Sequence, residues 1–436
     1  MGIQNLINEI PGLHSFRHYG RVTKVTGLMI ESIGPRASIG ELCTIEANSG
    51  QRKVMAEVVG FRDERVLLMP YDSVNDLAPG SLVSSTRSPL KIQVGTSLVG
   101  EVIDGLGRPL QPEKAYKGLT PVQADGSPPN PLERPRIKDP LSIGVKAIDA
   151  FLPVGRGQRL GIFAGSGVGK STMMAMIAKH SEADVIVIGL IGERGREVKD
   201  FLERDLGPDG RKKSIVVAAT SDQPALMRIK GAMTATAVAE YFRDLGMNVL
   251  LMMDSVTRFA MAQREIGLAI GEPPTTKGYT PSVFASLPRL LERSGTNRFG
   301  SITAFYTVLV DGDDLNDPVA DAVRGILDGH LVLDRKLANK GQFPAVNLLK
   351  SVSRVMKDIS TEEHQQAADS ARNLLSVYSE SEDLINIGAY KRGSSTEVDR
   401  AIAMMPELIS FIKQGNSGGV SRNESVEKLI TLMQKG

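Results

Sequence analysis

The stretch Phe163-Ala164-Gly165-Ser166-Gly167-Val168-Gly169-Lys170-Ser171-Thr172 stands between a run that reads as a strand, Leu160 to Phe163, and one that reads as a helix, Met173 to Ala178. Glycines allow a backbone to curl until several N–H groups converge on one triphosphate. Gly165, Ser166, Gly167, Val168 and Gly169 would form that cradle, and Lys170 would bring a cation to the β and γ oxygens. The Ser171 hydroxyl would ligand Mg²⁺ and Thr172 would follow in the opening helix turn. The pattern G-x-x-x-x-G-K-[ST] starts here with Ala164 in place of glycine. That position only begins the loop and need not touch phosphate, so one methyl group is tolerable. A glycine-rich turn without function is the alternative, and the flanks and the Lys-Ser pair speak against it.

Three further groups are placed where nucleotide chemistry would need them. Gly192-Glu193-Arg194 follows the next apolar strand, and the carboxyl ends of strands are the rim at which α/β sheets bind ligands. Glu193 there can orient or deprotonate a water attacking the γ-phosphate, or it can be one charge of a solvated helix start. Val249 to Met253 is an apolar run ending in Asp254, which can hold Mg²⁺ beside Ser171 or merely cap a buried strand. Arg258, one turn on, either contacts phosphate, braces the loop or sits in solvent. Arg354, after Ser351-Val352-Ser353, is a candidate arginine finger, because phosphoryl transfer spreads charge over the γ oxygens that an inserted guanidinium neutralises. Spacing alone does not single it out among many arginines.

The elements that must carry these groups fall into three blocks. Residues 20 to 92 hold short β-type runs separated by Gly34-Pro35, Ser49-Gly50 and Pro79-Gly80, the pattern of a small barrel. From about 140 to 355, near-continuous apolar strands (Arg159 to Phe163, Asp184 to Leu190, Ser214 to Ala219, Asn248 to Met253, Ser301 to Val310, Gly329 to Leu333) alternate with helical stretches, as in a mainly parallel sheet covered on both faces. Ser127 to Pro135 reads as an extended proline-stiffened connection. Past Lys357 the pattern is helical, with capping boxes expected at Ser360/Glu363 and Ser421/Glu424. The expected fold class is therefore α/β: a P-loop nucleotidase core, a small N-terminal β-barrel and a C-terminal helical domain, with boundaries at 1–92, 93–355 and 356–436.

Composition excludes several classes. The net charge of +2, with only short basic clusters such as Arg211-Lys212-Lys213, argues against specific nucleic-acid binding. Cys43 is the single cysteine, which rules out an intrachain disulfide framework and fits a reducing cytoplasm. No run approaches a membrane span, and the first twenty residues lack a signal-peptide core. Cytoplasmic localisation is expected, with peripheral attachment to a membrane complex left open. Ile3, Leu6, Ile7 and Ile10 have the spacing of a short docking helix, or pack on the chain's own barrel.

Taken together, Ala164 to Ser171, Gly192-Glu193-Arg194, Asp254-Ser255-Val256-Thr257-Arg258-Phe259 and Pro344 to Ser353 resemble the rotary ATPase family of F and V type. The last stretch satisfies that family's P-x-[LIV]-[DNH]-x3-S-x-S signature with Asn347 in fourth place. Thr220 to Arg228, Pro273 to Tyr279, Ala304 to Leu309 and Ile387 to Gly393 are similar to the branch of flagellar protein-export ATPases of type III secretion. The acidic Asp-Glu-Leu-Ser-Glu-Glu-Asp turn of the ATP synthase catalytic subunit is missing from the helical region. The resemblance implies an ATPase using ATP and Mg²⁺, with Lys170 and Ser171 as phosphate and metal ligands and Glu193 as catalytic carboxylate. It makes Arg194 an active-site arginine and Arg354 a finger reaching a neighbouring subunit. Phe343 takes the place of an adenine-stacking tyrosine, with core packing as its other reading. Implied partners are copies of the chain in a homohexamer, a stator-like regulatory protein at the N-terminus, a coiled-coil stalk protein in the ring, the membrane export gate and chaperone-substrate complexes. Rival readings are a rotary ATP synthase catalytic subunit, a virulence-injectisome ATPase, a non-catalytic ring subunit and an RNA translocase. The RNA reading would want more barrel aromatics than Phe61 and Tyr71, and Glu193 argues against the non-catalytic one.

Overall fold

Turn-separated alternation in the first block produces a closed antiparallel barrel. The computed structural model describes residues 18–47, 50–111, 116–310, 314–416 and 418–435; the docking helix expected near the start lies outside them. Tyr19–Thr26 (β1), Met29–Ile33 (β2), Glu41–Ala47 (β3), Arg52–Arg62 (β4), Arg65–Pro70 (β5) and Leu82–Pro89 (β6) pair in the order β1-β2-β5-β4-β3-β6 and back to β1. Period-two burial fills the interior: Cys43, Ile45 and Ala47 from β3 meet Val54, Ala56 and Val58 from β4.

The central block is a twisted sheet whose main strands are Val102–Asp104 (β7), Arg159–Ala164 (β8), Val185–Ile191 (β9), Ser214–Ala219 (β10), Asn248–Asp254 (β11), Ser301–Leu309 (β12), Gly329–Leu333 (β13) and Val352–Ser353 (β14). Their spatial order is β14-β13-β8-β12-β11-β9-β10-β7, and every pairing along it is parallel except β13 with β14. The continuous apolar runs have a simple cause. Val185, Val187 and Ile191 of β9 feed one core and Ile186, Ile188 and Leu190 the other, so both faces are covered. Lys170–His180 (α1) covers the second face, while Ala225–Asp244 (α2) and Val256–Ile270 (α3) cover the first.

Glu362–Asn386 (α4), Thr396–Ile412 (α5) and Arg422–Lys435 (α6) form the C-terminal unit. Ala367, Ala368, Ala371, Leu374, Leu408 and Leu429 join the second core rather than a separate one. Three local expectations need correction. The cap of α4 is Thr361, whose Oγ1 accepts from His364 N at 3.3 Å, while the Ser360 hydroxyl is buried without a partner. The connection expected to be extended throughout contains a 3-10 turn, Pro131–Glu133, because the Asn130 side chain accepts from Leu132 N. At Ser421 the hydroxyl does accept from Glu424 N, but the Glu424 carboxylate pairs forward with Lys428 instead of closing the box.

The barrel is seated on the core by a buried polar cluster. Lys230 of α2 pairs with Glu57 of β4 at 2.8 Å, and the Tyr71 hydroxyl donates to the same carboxylate. Met29, Leu67, Met69 and Tyr71 extend the first core into this seam.

Candidate active site

The phosphate loop sits where β8 runs into α1. Ala164 is a fully buried strand residue, paired to Leu309 and Leu333, which explains why alanine serves in that position. Gly167 and Gly169 have φ of 78° and 93°, the left-handed region in which a side chain is strained. A Cβ at Gly167 would meet nothing within 4 Å, so its glycine answers to backbone curvature and not to crowding. No side chain caps the start of α1, so its first N–H groups remain donors for an anion. Ser171 and Thr172 are half-buried in the first turn.

Sheet order then gathers the charges. Leu190 pairs with Asp254, which places the ends of β9 and β11 side by side, and β12 lies between β11 and the phosphate-loop strand. Lys170 Nζ is 2.5 Å from Asp254 Oδ1 and 3.4 Å from Glu193 Oε1, with all three side chains largely buried. Burial pulls the lysine down, but the two carboxylates outweigh it and raise it above its ordinary value. Burial pushes the Glu193 carboxyl up to about 7, Asp254 adds to the rise and Lys170 opposes it. Once Glu193 is ionised, one ammonium between two carboxylates leaves the site with excess negative charge. A divalent cation would complete it, and Ser171 with Asp254 is the oxygen donor set that Mg²⁺ takes.

One contributor went unnoticed in the sequence. Thr307 Oγ1 donates to Asp254 Oδ1 at 2.7 Å from the buried middle of β12. Its only signal was a hydroxyl inside an apolar strand. Arg258 is not a solvated helix residue: its side chain lies under the turn at Gly192, where a Cβ would come within 2.8 Å of it, and its Nε is buried without an acceptor.

Other expected site residues stand apart from this cluster. The Arg194 side chain is 80% exposed and 3.4 Å from Glu197. The Phe343 ring, 48% exposed, lies over the loop, 3.7 Å from where a Cβ of Gly169 would be; it is therefore not a core residue. Arg354 follows β14, whose Ser353 pairs with Gly329 at the amino end of β13. Leu333, level with the start of the phosphate loop, is four residues further along β13, or about 13 Å. Arg354 is exposed, its backbone N–H donates to Asp328 O at 3.0 Å, and its guanidinium donates to Arg324 O at 3.4 Å.

Family models match in three places: the beta-barrel domain of the ATP synthase alpha/beta family over 22–87, its nucleotide-binding domain over 144–353, and the T3SS EscN ATPase C-terminal domain over 360–431. The chain is 64% identical to a flagellum-specific ATP synthase of Bacillus subtilis (strain 168), with 99% of each chain covered. It belongs to the flagellar and type III secretion branch of the ATP synthase alpha/beta family. This ATPase is 48% identical to a type 3 secretion system ATPase of Xanthomonas euvesicatoria, over 98% of this chain and 96% of the other. The assembled ATPase EscN of enteropathogenic E. coli superposes with a TM-score of 0.90 at 46% identity, covering 95% of this chain and 100% of that one. EscN in complex with its central stalk EscO gives 0.87 at 45%, with the same coverage. The chain is accordingly an ATP-hydrolysing enzyme.

Proposed function

We propose that this ATPase hydrolyses Mg²⁺-ATP at the Lys170–Glu193–Asp254 cluster of a homohexameric ring, and that the turnover drives or assists export of flagellar proteins. The observation that carries the reading is the cluster itself: a phosphate-loop lysine held between two buried carboxylates at the ends of adjacent strands. Lys170 turns from Asp254 to the β and γ oxygens when nucleotide enters. Ser171 and Asp254, the latter oriented by Thr307, would hold Mg²⁺, which would supply charge neutralisation to the phosphates. Glu193, once ionised, orients the attacking water and accepts its proton. Arg258 offers its unpaired Nε to the same region, and Arg194 can leave its weak contact with Glu197 for the γ-phosphate.

Arg354 completes a neighbouring copy's site, since it stands at the wrong end of the sheet for its own. Phe343 offers a ring face to adenine. The flagellar reading is favoured over an ATP synthase catalytic subunit and over a virulence injectisome by the 64% likeness to a flagellum-specific relative, against 48% to the type 3 secretion one. A stalk protein in the ring follows by analogy with EscN and EscO. A stator-like protein at the N-terminus, the export gate, chaperone-substrate complexes and peripheral attachment from the cytoplasm belong to the same reading. No helix among the described residues is long and apolar enough to cross a membrane.

Steady-state hydrolysis by the purified chain, measured against protein concentration, tests this directly. Specific activity should rise with concentration as rings assemble. Flat, negligible activity at every concentration would mean that another chain completes the site.

A further inference from the structure

Among its contacts with the core, the C-terminal unit reaches Phe343 and the 144–146 loop through Gln414. Gln414, two residues past α5, donates its backbone N–H to Phe343 O at 3.0 Å. Its side-chain Oε1 accepts from Lys146 N at 2.8 Å, and its Nε2 donates to Gly144 O at 2.8 Å and to Gly418 O at 2.7 Å. Lys146 opens the short helix Lys146–Phe151, whose start has no cap from its own N-terminal neighbour Val145, so Gln414 supplies that cap from 268 residues away. The loop it grips is itself fixed: the buried Asp149 carboxylate accepts from Ile143 N and Gly144 N at 3.0 and 2.7 Å. Beside this staple, a cleft of about 280 Å³ lined by Thr172, Met176, Lys179 and Asn416 opens between α1 and the segment following Gln414.

We propose that Gln414 is a positioning residue for the nucleotide base: it anchors the backbone of Phe343 to the 144–146 loop and so holds the ring over Gly169. The inference rests on the reading of Phe343 as the adenine platform. A planar base stacking on an aromatic ring needs that ring at one height and tilt. With its ring about half exposed, Phe343 needs its main chain to set them. Base binding and docking of the C-terminal unit are then linked, and each favours the other.

Affinity for ATP and for inorganic tripolyphosphate, which shares the phosphates but lacks the base, should be compared in wild type, Gln414→Ala, Phe343→Ala and the double variant. Gln414→Ala is expected to weaken ATP binding by about tenfold, the scale of one stacked base, and to leave tripolyphosphate unchanged. The double variant should bind ATP no worse than Phe343→Ala alone, because both losses are the same one. Restoration of ATP affinity in Gln414→Asn would place the amide's hydrogen bonds behind the effect. Equal weakening toward both ligands, or additive losses in the double variant, would overturn the proposal. If Phe343→Ala itself left the ratio of the two affinities unaltered, the platform reading would fall instead, which separates the two failures.

Discussion

At the scale of single residues, Glu193 is where charge and function meet. Its carboxyl ionises at an ordinary 4.5 when unfolded but at about 7 in the folded chain. The protonated form thus favours folding below the lower value, and that contribution is lost as the pH rises through about 7. Glu193→Gln cannot ionise, so it should raise the melting temperature relative to wild type near pH 8 and much less near pH 5. The same variant should lose at least about a hundredfold in turnover. A melting difference independent of pH would show that the carboxylate is not desolvated. Thr307→Val should raise the Mg²⁺ concentration needed for half-maximal activity by about tenfold, as loss of an outer-shell partner does, and an unchanged requirement would remove Thr307 from the site. Lys170, Glu193 and Asp254 were legible in the sequence because each ends or follows a strand in a recognisable pattern. Thr307 was not, since only the register that pairs Met253 with Tyr306 brings the next residue, Thr307, level with Asp254.

Elements were legible in proportion to how continuous their signals are. The buried strands show as unbroken apolar runs, and the limits expected for Ser214–Ala219 and Gly329–Leu333 are those observed. The short edge strand Val352–Ser353 pairs along two residues only, too few for any period to appear. Helix ends are decided by competition between adjacent hydroxyls, which is why Thr361 rather than Ser360 caps α4. Thr361→Ala should therefore cost about 1 kcal/mol and speed amide exchange in the first turn of α4. Ser360→Ala should cost less than about 0.5 kcal/mol. Equal losses would contradict the assigned cap.

On the scale of the whole molecule, the barrel and the core are joined at a buried ion pair, and the proposed active site is completed by Arg354 of a neighbouring copy. Glu57→Gln leaves Lys230 charged in the seam without its partner, at a cost of about 3–5 kcal/mol. Adding Lys230→Met should recover most of that loss in urea unfolding, since two neutral side chains need no pairing; no recovery would mean that the pair itself holds the barrel in place. That three blocks exist was readable from composition shifts along the chain. That the C-terminal helices share the sheet's second core was not, because apolar spacing marks a buried face without naming what covers it. The central claim is that the carboxylate and the finger of one site come from different copies, and mixing Glu193→Gln with Arg354→Ala tests it most directly. Each variant alone should be nearly inactive. The mixture should regain a fraction of wild-type turnover, because some interfaces then pair an intact Glu193 with an intact Arg354. A mixture as inactive as its parts, with ring assembly intact, would contradict the shared site.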